Sequence, residues 1–298
     1  MIDDFDIVGV KVCRNFDLTK YSTMQLKAFG DIAFVSNKES LKNLLITLKN
    51  KKIPYQLLGL GANSLLEENF NGIYIKLEFD FDEKELDANK SVFTFPASLP
   101  LRLLTSFAIK NNLKGWEVFT GIPATLGGAC FMNAGTNLGE IKEIIYSVEY
   151  LSKENEFITR EVNSGDFSYR KNNFLKEGEV ITEIKLKNLG SDSSIGPLIK
   201  EYLKKRTDSQ PLDKKTCGCI FKNQKLENAD KTCPAGKYID IMGLKGLNIN
   251  GMRISPVHGN FFENFENSTK KDVLELIRIT QFELELNYGI KFETEAIF

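Results

Sequence analysis

A few side chains in this sequence have the type and setting for chemistry. Thr216-Cys217-Gly218-Cys219-Ile220-Phe221-Lys222-Asn223 places two thiols one residue apart, with Cys233 further on. A thiol has an intrinsic pKa of ~8.5 and gives up a proton more readily than a serine hydroxyl. Zinc is another use of such a set, but this is not C-x-x-C spacing, and the fourth ligand would have to be His258 or an acid. The spacing favours free thiols, since a Cys217–Cys219 disulfide would be strained. Arg170, in the polar run Phe167-Ser168-Tyr169-Arg170-Lys171-Asn172-Asn173-Phe174, offers a rigid fork of donors to a carboxylate or oxyanion; its other reading is a surface ion pair. Glu295 sits in an apolar C-terminal run read as a strand, where burying a lone carboxylate is costly. It is therefore a functional candidate unless it faces solvent on an edge strand. His258 is the only histidine, so a multi-histidine metal site is excluded and any Ser-His or Cys-His system must use it. Without a visible partner, a packed structural role is its alternative.

Two glycine-rich segments stand between apolar elements and look made for close backbone approach. The longer is Thr120-Gly121-Ile122-Pro123-Ala124-Thr125-Leu126-Gly127-Gly128-Ala129-Cys130-Phe131-Met132-Asn133-Ala134-Gly135, with four glycines, a proline and no charge. It is too long for a turn and too glycine-rich for a core strand. The reading that remains is backbone brought against something flat or phosphorylated. The shorter, Gly59-Leu60-Gly61-Ala62-Asn63-Ser64, approximates G-x-G-x-x-G but ends in serine and follows the second strand of its unit. A Rossmann dinucleotide fold is thus poorly supported. The loop is either a backbone-amide pyrophosphate site or an ordinary turn.

Composition narrows the classes. The chain has 298 residues, 42% of them hydrophobic, and a net charge of -1 from 39 basic and 40 acidic side chains. That length suits two or three domains with a sizeable core. The charge balance gives no case for nucleic acid or an anionic membrane surface, and no apolar run reaches the length of a membrane span. The start, Met1-Ile2-Asp3-Asp4-Phe5-Asp6, reads as lacking a signal peptide. Five cysteines then suit a reducing cytosol.

The elements that must hold these residues follow from pattern. A strand at 32–35 precedes a capping-box signal from Ser36 to Glu39 and a helix with Leu41, Leu44, Leu45 and Leu48 on one face, ended by Ile53-Pro54. Strands are expected at 55–58, 73–77, 92–95, 144–150 and 180–187, and a charged hairpin or junction at 79–90. Ser98 is placed to cap a helix with Leu103, Leu104, Phe107 and Ala108. Residues 191–197 read as a linker, followed by a basic helix at 199–206. Strand-like residues surround Arg253 and His258, and Ser268 or Thr269 caps a last helix with Val273, Leu276, Ile277 and Leu284.

Taken together and in order, these segments resemble the UDP-N-acetylenolpyruvoylglucosamine reductase (MurB) family. The 121–129 run with Met132-Asn133-Ala134-Gly135 resembles its flavin signature, and 59–64 its first FAD-phosphate loop. Tyr169-Arg170, Cys217 to Asn223, Ala235-Gly236-Lys237, His258 and Glu295 fall in the family's order, and the likeness runs from about Tyr21 to Phe298. The length resembles the shorter subtype, without an extra tyrosine-bearing loop.

The resemblance implies an α+β architecture with the FAD-binding fold of the vanillyl-alcohol-oxidase (PCMH) type and a separate C-terminal α+β substrate domain. The expected boundaries are 1–78 for FAD subdomain 1, with a strand at about 290–298 returning near it, 79–195 for subdomain 2, and 196–289 for the substrate domain. It implies cytoplasmic peptidoglycan-precursor synthesis by a monomer using FAD, with NADPH as reductant and no metal. A hydride from flavin N5 would go to the methylene carbon of the enolpyruvyl ether, and a proton to its neighbour. By the same likeness Gly59, Gly61, Ala62, Asn63, Ser64, Gly121, Ile122, Pro123, Thr125, Gly127, Gly128, Asn133 and Gly135 hold the cofactor. Tyr169, Lys222, Asn223, Lys237 and His258 meet the substrate. Arg170 and Glu295 stabilise an enolate-like species, and Cys219, where the family usually has serine, donates the proton. Asn172 for serine, Ser209 for lysine, Gln224 for proline and Thr136-Asn137-Leu138 also depart from the family pattern and read as drift around an intact core. A related FAD oxidoreductase with another substrate, and a thiol- or zinc-binding module without activity, are the competing readings.

Overall fold

The computed structural model describes residues 6–225 and 232–297. The N-terminal residues 1–5 read above for a leader, and Phe298 at the end of the C-terminal run, lie outside the described residues. Contacts divide the chain into two units: Met1–Arg14, Ile32–Leu60 and Gly72–Leu203 form one, and Asn15–Asp31, Gly61–Asn71 and Lys204–Phe298 the other.

Strands β1 (Val10–Asp17), β2 (Phe29–Val35), β3 (Tyr55–Leu57) and β4 (Asn69–Leu77) form a sheet in the order β1-β2-β4-β3, with β3 and β4 parallel. Helix α1 (Lys38–Lys51) follows β2 and buries Leu41, Leu44, Leu45 and Leu48 with Ala33, Val35, Ile73 and Ile75. The leucine spacing thus makes one face of the helix, as expected. Its cap is Asn37, whose side chain accepts the Ser40 N–H at 2.8 Å. The expected Ser36 instead donates its hydroxyl to the Gly9 carbonyl.

The rest of the first unit is built on a second, antiparallel sheet. Strand β5 (Val92–Pro96) leads to α2 (Leu101–Asn111) and the short α3 (Leu126–Phe131), which forms inside the glycine-rich stretch. One small ladder, β6 (Gly135–Thr136) with β7 (Gly139–Glu140), comes next. Then β8 (Ile145–Leu151), β9 (Phe157–Glu161) and β12 (Val180–Lys187) complete the order β5-β12-β8-β9. Trp116 fills the core against Phe93, Phe95, Phe107 and Phe119, and its indole N–H donates to the Lys187 carbonyl at 3.0 Å. Ser98 does not cap α2, which starts at Pro100 without a side-chain cap. Residues 167–174, read as a loop, contain the hairpin β10 (Phe167–Ser168) and β11 (Lys171–Asn172).

The unit boundary falls within α4 (Ile195–Ser209). This helix begins inside the expected linker, where Ile195 and Ile199 supply a buried face. In the second unit α5 (Ala235–Ile241) and α6 (Lys270–Tyr288) accompany a three-stranded sheet of Asn248–Ile249, Met252–Ile254 and Phe262–Asn264. Thr269 and Asp272 form a capping box at the start of α6, whose Val273, Leu276, Ile277 and Leu284 join Met252, Ile254, Phe262 and Phe292 in the core. Strands Met252–Ile254 and Phe262–Asn264 flank His258 as expected, with His258 itself in the irregular connection between them. The C-terminal run is no regular strand: among the described residues it forms isolated bridges, Phe221 with Thr294 and Ser64 with Ile297.

Candidate active site

In the first unit the glycines meet two different needs. Thr125 caps α3, its Oγ1 accepting the Gly128 N–H at 3.2 Å. A Cβ on Gly127 would lie 2.7 Å from the Ala97 Cβ, and one on Gly135 would lie 2.7 Å from the Gly139 carbonyl oxygen. These two permit protein to touch protein. At Gly59 and Gly128 a Cβ would meet only Thr125, first at 3.1 and 3.3 Å respectively, and Gly128 is exposed. Those two therefore border open space. Gly121 has φ 72°, a turn conformation that favours glycine. Ile122 and Ala124, on either side of Pro123, pack on the core. The structure thus brings Gly59, Thr125 and Gly128 together.

Asn133 is fully buried at φ 45°. Its Nδ2 donates to Glu140 Oε2 and to the Ser168 carbonyl, both at 3.0 Å, and its Oδ1 accepts from the Lys142 N–H. Such an amide is satisfied by protein alone. Beside it the hairpin β10–β11 turns through Tyr169 and Arg170. Arg170 has φ 55°, unfavourable for a residue with a Cβ, and its Nη2 donates to the Gly135 carbonyl at 2.7 Å. Its guanidinium lies 5.1 Å from the centre of the exposed Tyr169 ring.

In the second unit Gly61 has φ 63°, and a Cβ there would strike the Tyr21 carbonyl oxygen at 2.2 Å. Protein packing demands this glycine. After Ala62, Asn63 donates its Nδ2 to the Glu295 carbonyl at 2.8 Å and accepts from the Ile297 N–H, while Ser64 bridges to Ile297. On the other side the Glu295 N–H donates to the Ile220 carbonyl at 2.7 Å, and the Lys222 N–H to the Glu293 carbonyl. The Glu295 segment is therefore held between the Asn63 loop and the thiol segment. Asn260 locks that segment, accepting from the Phe221 N–H and donating to its carbonyl, each at 2.9 Å. Cys219, which bridges Phe261, is half-buried. Burial pushes the Cys217 thiol up to about 12, with Cys219 and Glu295 adding to the shift. Burial thus favours the neutral form of Cys217.

The expected substrate residues of this unit are partly engaged with protein. Lys222 pairs with Glu293 at 3.2 Å, and Asn223 Oδ1 accepts the Ala235 N–H at the start of α5. Lys237 is exposed in the first turn of α5. His258 Nδ1 accepts the Asn260 N–H at 3.2 Å, which puts the proton of the neutral ring on Nε2. Burial, and Lys245 nearby, hold its pKa below the usual value.

Residues 31–159 match the model of an FAD-binding domain, and residues 210–298 match the C-terminal domain of UDP-N-acetylenolpyruvoylglucosamine reductase. The reductase of that name from Clostridium tetani is 30% identical over 97% of this chain and 93% of its own length. The one from Bacillus velezensis is 31% identical, with 96% and 93% covered. The crystal structure of the Thermus caldophilus reductase superposes with a TM-score of 0.77 at 31% identity, covering 97% of this chain and 98% of that one. The chain belongs to the UDP-N-acetylenolpyruvoylglucosamine reductase family. It is an FAD-dependent oxidoreductase with the α+β fold expected from its motifs. No described helix is long and apolar enough to cross a membrane, and no group of three or more described His, Cys, Asp or Glu side chains is placed to hold a metal.

The residues present fit the flavin cofactor. Gly59 and Gly128 border space that a Cβ would enter, and Thr120, fully buried just before Gly121, has a hydroxyl with no partner among the described residues. Lys76 adds a cation: its Nζ donates to the Gly59 carbonyl at 3.1 Å, and burial lowers its pKa. In the second unit Ser22 and Thr23, packed at Gly61, have buried hydroxyls likewise without partners. Sequence reasoning missed these four. The available hint for Lys76 was a lysine set between Ile75 and Leu77 in the apolar half of β4, where Ile73, Tyr74 and Ile75 are all buried. The hydroxyls carry no spacing signal.

Proposed function

We propose that this chain reduces UDP-N-acetylglucosamine enolpyruvate to UDP-N-acetylmuramate with FAD and NADPH, as a cytoplasmic monomer acting on a soluble nucleotide sugar. The observation that carries the reading is the pairing of the Cys219 segment with the Glu295 segment, bracketed by Asn63. It brings a half-buried thiol and a carboxyl group onto adjacent backbone. Bound FAD would supply the hydride chemistry, from NADPH to the methylene carbon of the enol ether. That addition leaves negative charge beside the substrate carboxylate. Arg170 offers charge-assisted donors to it, and Glu295, if protonated, offers one more. Cys219 keeps a proton for the adjacent carbon, which a thiol does readily. Cys217, buried and with its thiol pushed up to about 12, is assigned no part.

On the cofactor side Gly59, Thr125 and Gly128 line open space, Ala62, Asn63, Ser64, Gly121, Ile122 and Pro123 are assigned to the cofactor by the family likeness, and Gly61, Gly127, Gly135 and Asn133 serve by shaping the protein around them. Tyr169, Lys222, Lys237 and His258 are assigned to the substrate, with His258 donating from Nε2. Asn223 joins them through its amide N–H groups, its oxygen being used at α5. The partition at 1–78, 79–195 and 196–289 stays part of this proposal. The test is NADPH oxidation by purified, FAD-loaded protein with the enolpyruvyl nucleotide. The expected product is heavier by two hydrogens; NADPH consumption without that product would reject the substrate.

A further inference from the structure

We propose that Asn172 is a positioning residue for Arg170, docking the turn that carries the arginine onto the backbone of residues 131–135. The inference rests on the assignment of Arg170 to the reaction. A short two-stranded hairpin has little stability of its own, and its tip is held in a left-handed conformation at Arg170. Something outside the hairpin must hold it. Three hydrogen bonds do so, at alternate residues of one segment. Asn172 Nδ2 donates to the Phe131 carbonyl, Asn133 Nδ2 donates to the Ser168 carbonyl, and Arg170 Nη2 donates to the Gly135 carbonyl. They fasten the outgoing strand, the incoming strand and the tip.

Asn172 is the separable member of this set. It is 9% exposed, and its Oδ1 also accepts the Leu175 N–H at 3.0 Å, closing the loop behind β11. Asn133 is also bonded to Glu140 and Lys142, so replacing it would disturb the cradle itself. Removing the Asn172 donor frees one strand of the hairpin and leaves the cradle bonds in place. The guanidinium then samples more positions, and misplacement of a group by about 1 Å costs up to ~100-fold in rate.

The experiment compares native protein, Asn172→Ala, Arg170→Lys and the double variant, each loaded with FAD. Four readouts are taken: flavin content, bleaching by NADPH, nucleotide affinity from the flavin spectrum, and re-oxidation of the bleached flavin by the enolpyruvyl nucleotide. Asn172→Ala is expected to keep its flavin, bleaching and affinity within about threefold, and to re-oxidise roughly 10- to 100-fold more slowly. In the Arg170→Lys background the same change is expected to cost less than about twofold, because it acts through that guanidinium. Native re-oxidation in Asn172→Ala, or equal slowing in both backgrounds, would overturn the proposal. Asn172→Asp keeps an acceptor for Leu175 and lacks the donor to Phe131, so it should be slowed like the alanine variant. Native re-oxidation there would overturn docking, whether or not the alanine variant folds. Failure of the native protein to re-oxidise would reject the reaction assignment, and this proposal with it.

Discussion

Gly127 and Gly128 adjoin in sequence, yet alanine at each should act in opposite directions. At Gly128 the nearest atom to a new Cβ is Thr125 Oγ1, 3.3 Å away, so the cap must yield by a few tenths of an ångström. Against that, alanine in a helix is favoured over glycine by up to about 1 kcal/mol. The flavin-free protein should be unchanged or slightly more stable, with a Tm higher by roughly 0–4 °C. The methyl group, however, enters the space assigned to the cofactor. Overpacking of that kind costs about 1–3 kcal/mol, which weakens FAD binding roughly 5- to 150-fold. At Gly127 the new Cβ would lie 2.7 Å from the Ala97 Cβ and 3.0 Å from its carbonyl oxygen. Ordinary carbon contacts are about 3.5–4.0 Å, so α3 must move away from Ala97. Here the same 1–3 kcal/mol falls on the fold, and Tm should drop by several degrees, roughly 2–4 °C per kcal/mol. The assay is thermal melting of deflavinated protein beside a fluorescence titration with FAD. Native FAD affinity in Gly128→Ala would refute the assignment of this surface to the flavin, and a native Tm in Gly127→Ala would refute the packing argument.

Other variants probe the remaining groups. Cys219→Ser should keep activity, whereas Cys219→Ala should bleach with NADPH and fail to re-oxidise; normal turnover by Cys219→Ala would remove the thiol from the mechanism. Lys76→Met leaves the Gly59 carbonyl without its cation and should weaken FAD binding by roughly tenfold, about the worth of one charge-assisted hydrogen bond; unchanged affinity in a titration would dismiss Lys76. His258 has its pKa lowered by burial, so the unfolded chain takes up its proton first. Stability should therefore fall as pH drops below about 6.5, and His258→Asn should flatten that part of a melting-versus-pH curve.

Much of the fold was legible because its signals are local. The leucines at 41, 44, 45 and 48 define α1 by spacing alone, and Thr269 with Asp272 sets the start of α6. What failed depended on distant partners. Ser36 was displaced as a cap because its hydroxyl meets the carbonyl of Gly9. The C-terminal run was read as one strand from its apolar residues, but it changes partner from Phe221 to Ser64 within a few residues, and no periodicity can foretell that. The glycines were read together as room for a ligand. The structure divides them, since the neighbours of Gly61, Gly127 and Gly135 come from remote chain segments or turns. Asn172 passed as drift, because a hydrogen bond to the Phe131 carbonyl leaves no trace in sequence.

The most direct test of the central claim is an anaerobic trace of flavin absorbance in the native, FAD-loaded protein. NADPH is added first, then UDP-N-acetylglucosamine enolpyruvate. Bleaching followed by full recovery on the nucleotide is the predicted result. Bleaching that persists after the nucleotide, or protein that takes up no flavin, would contradict it.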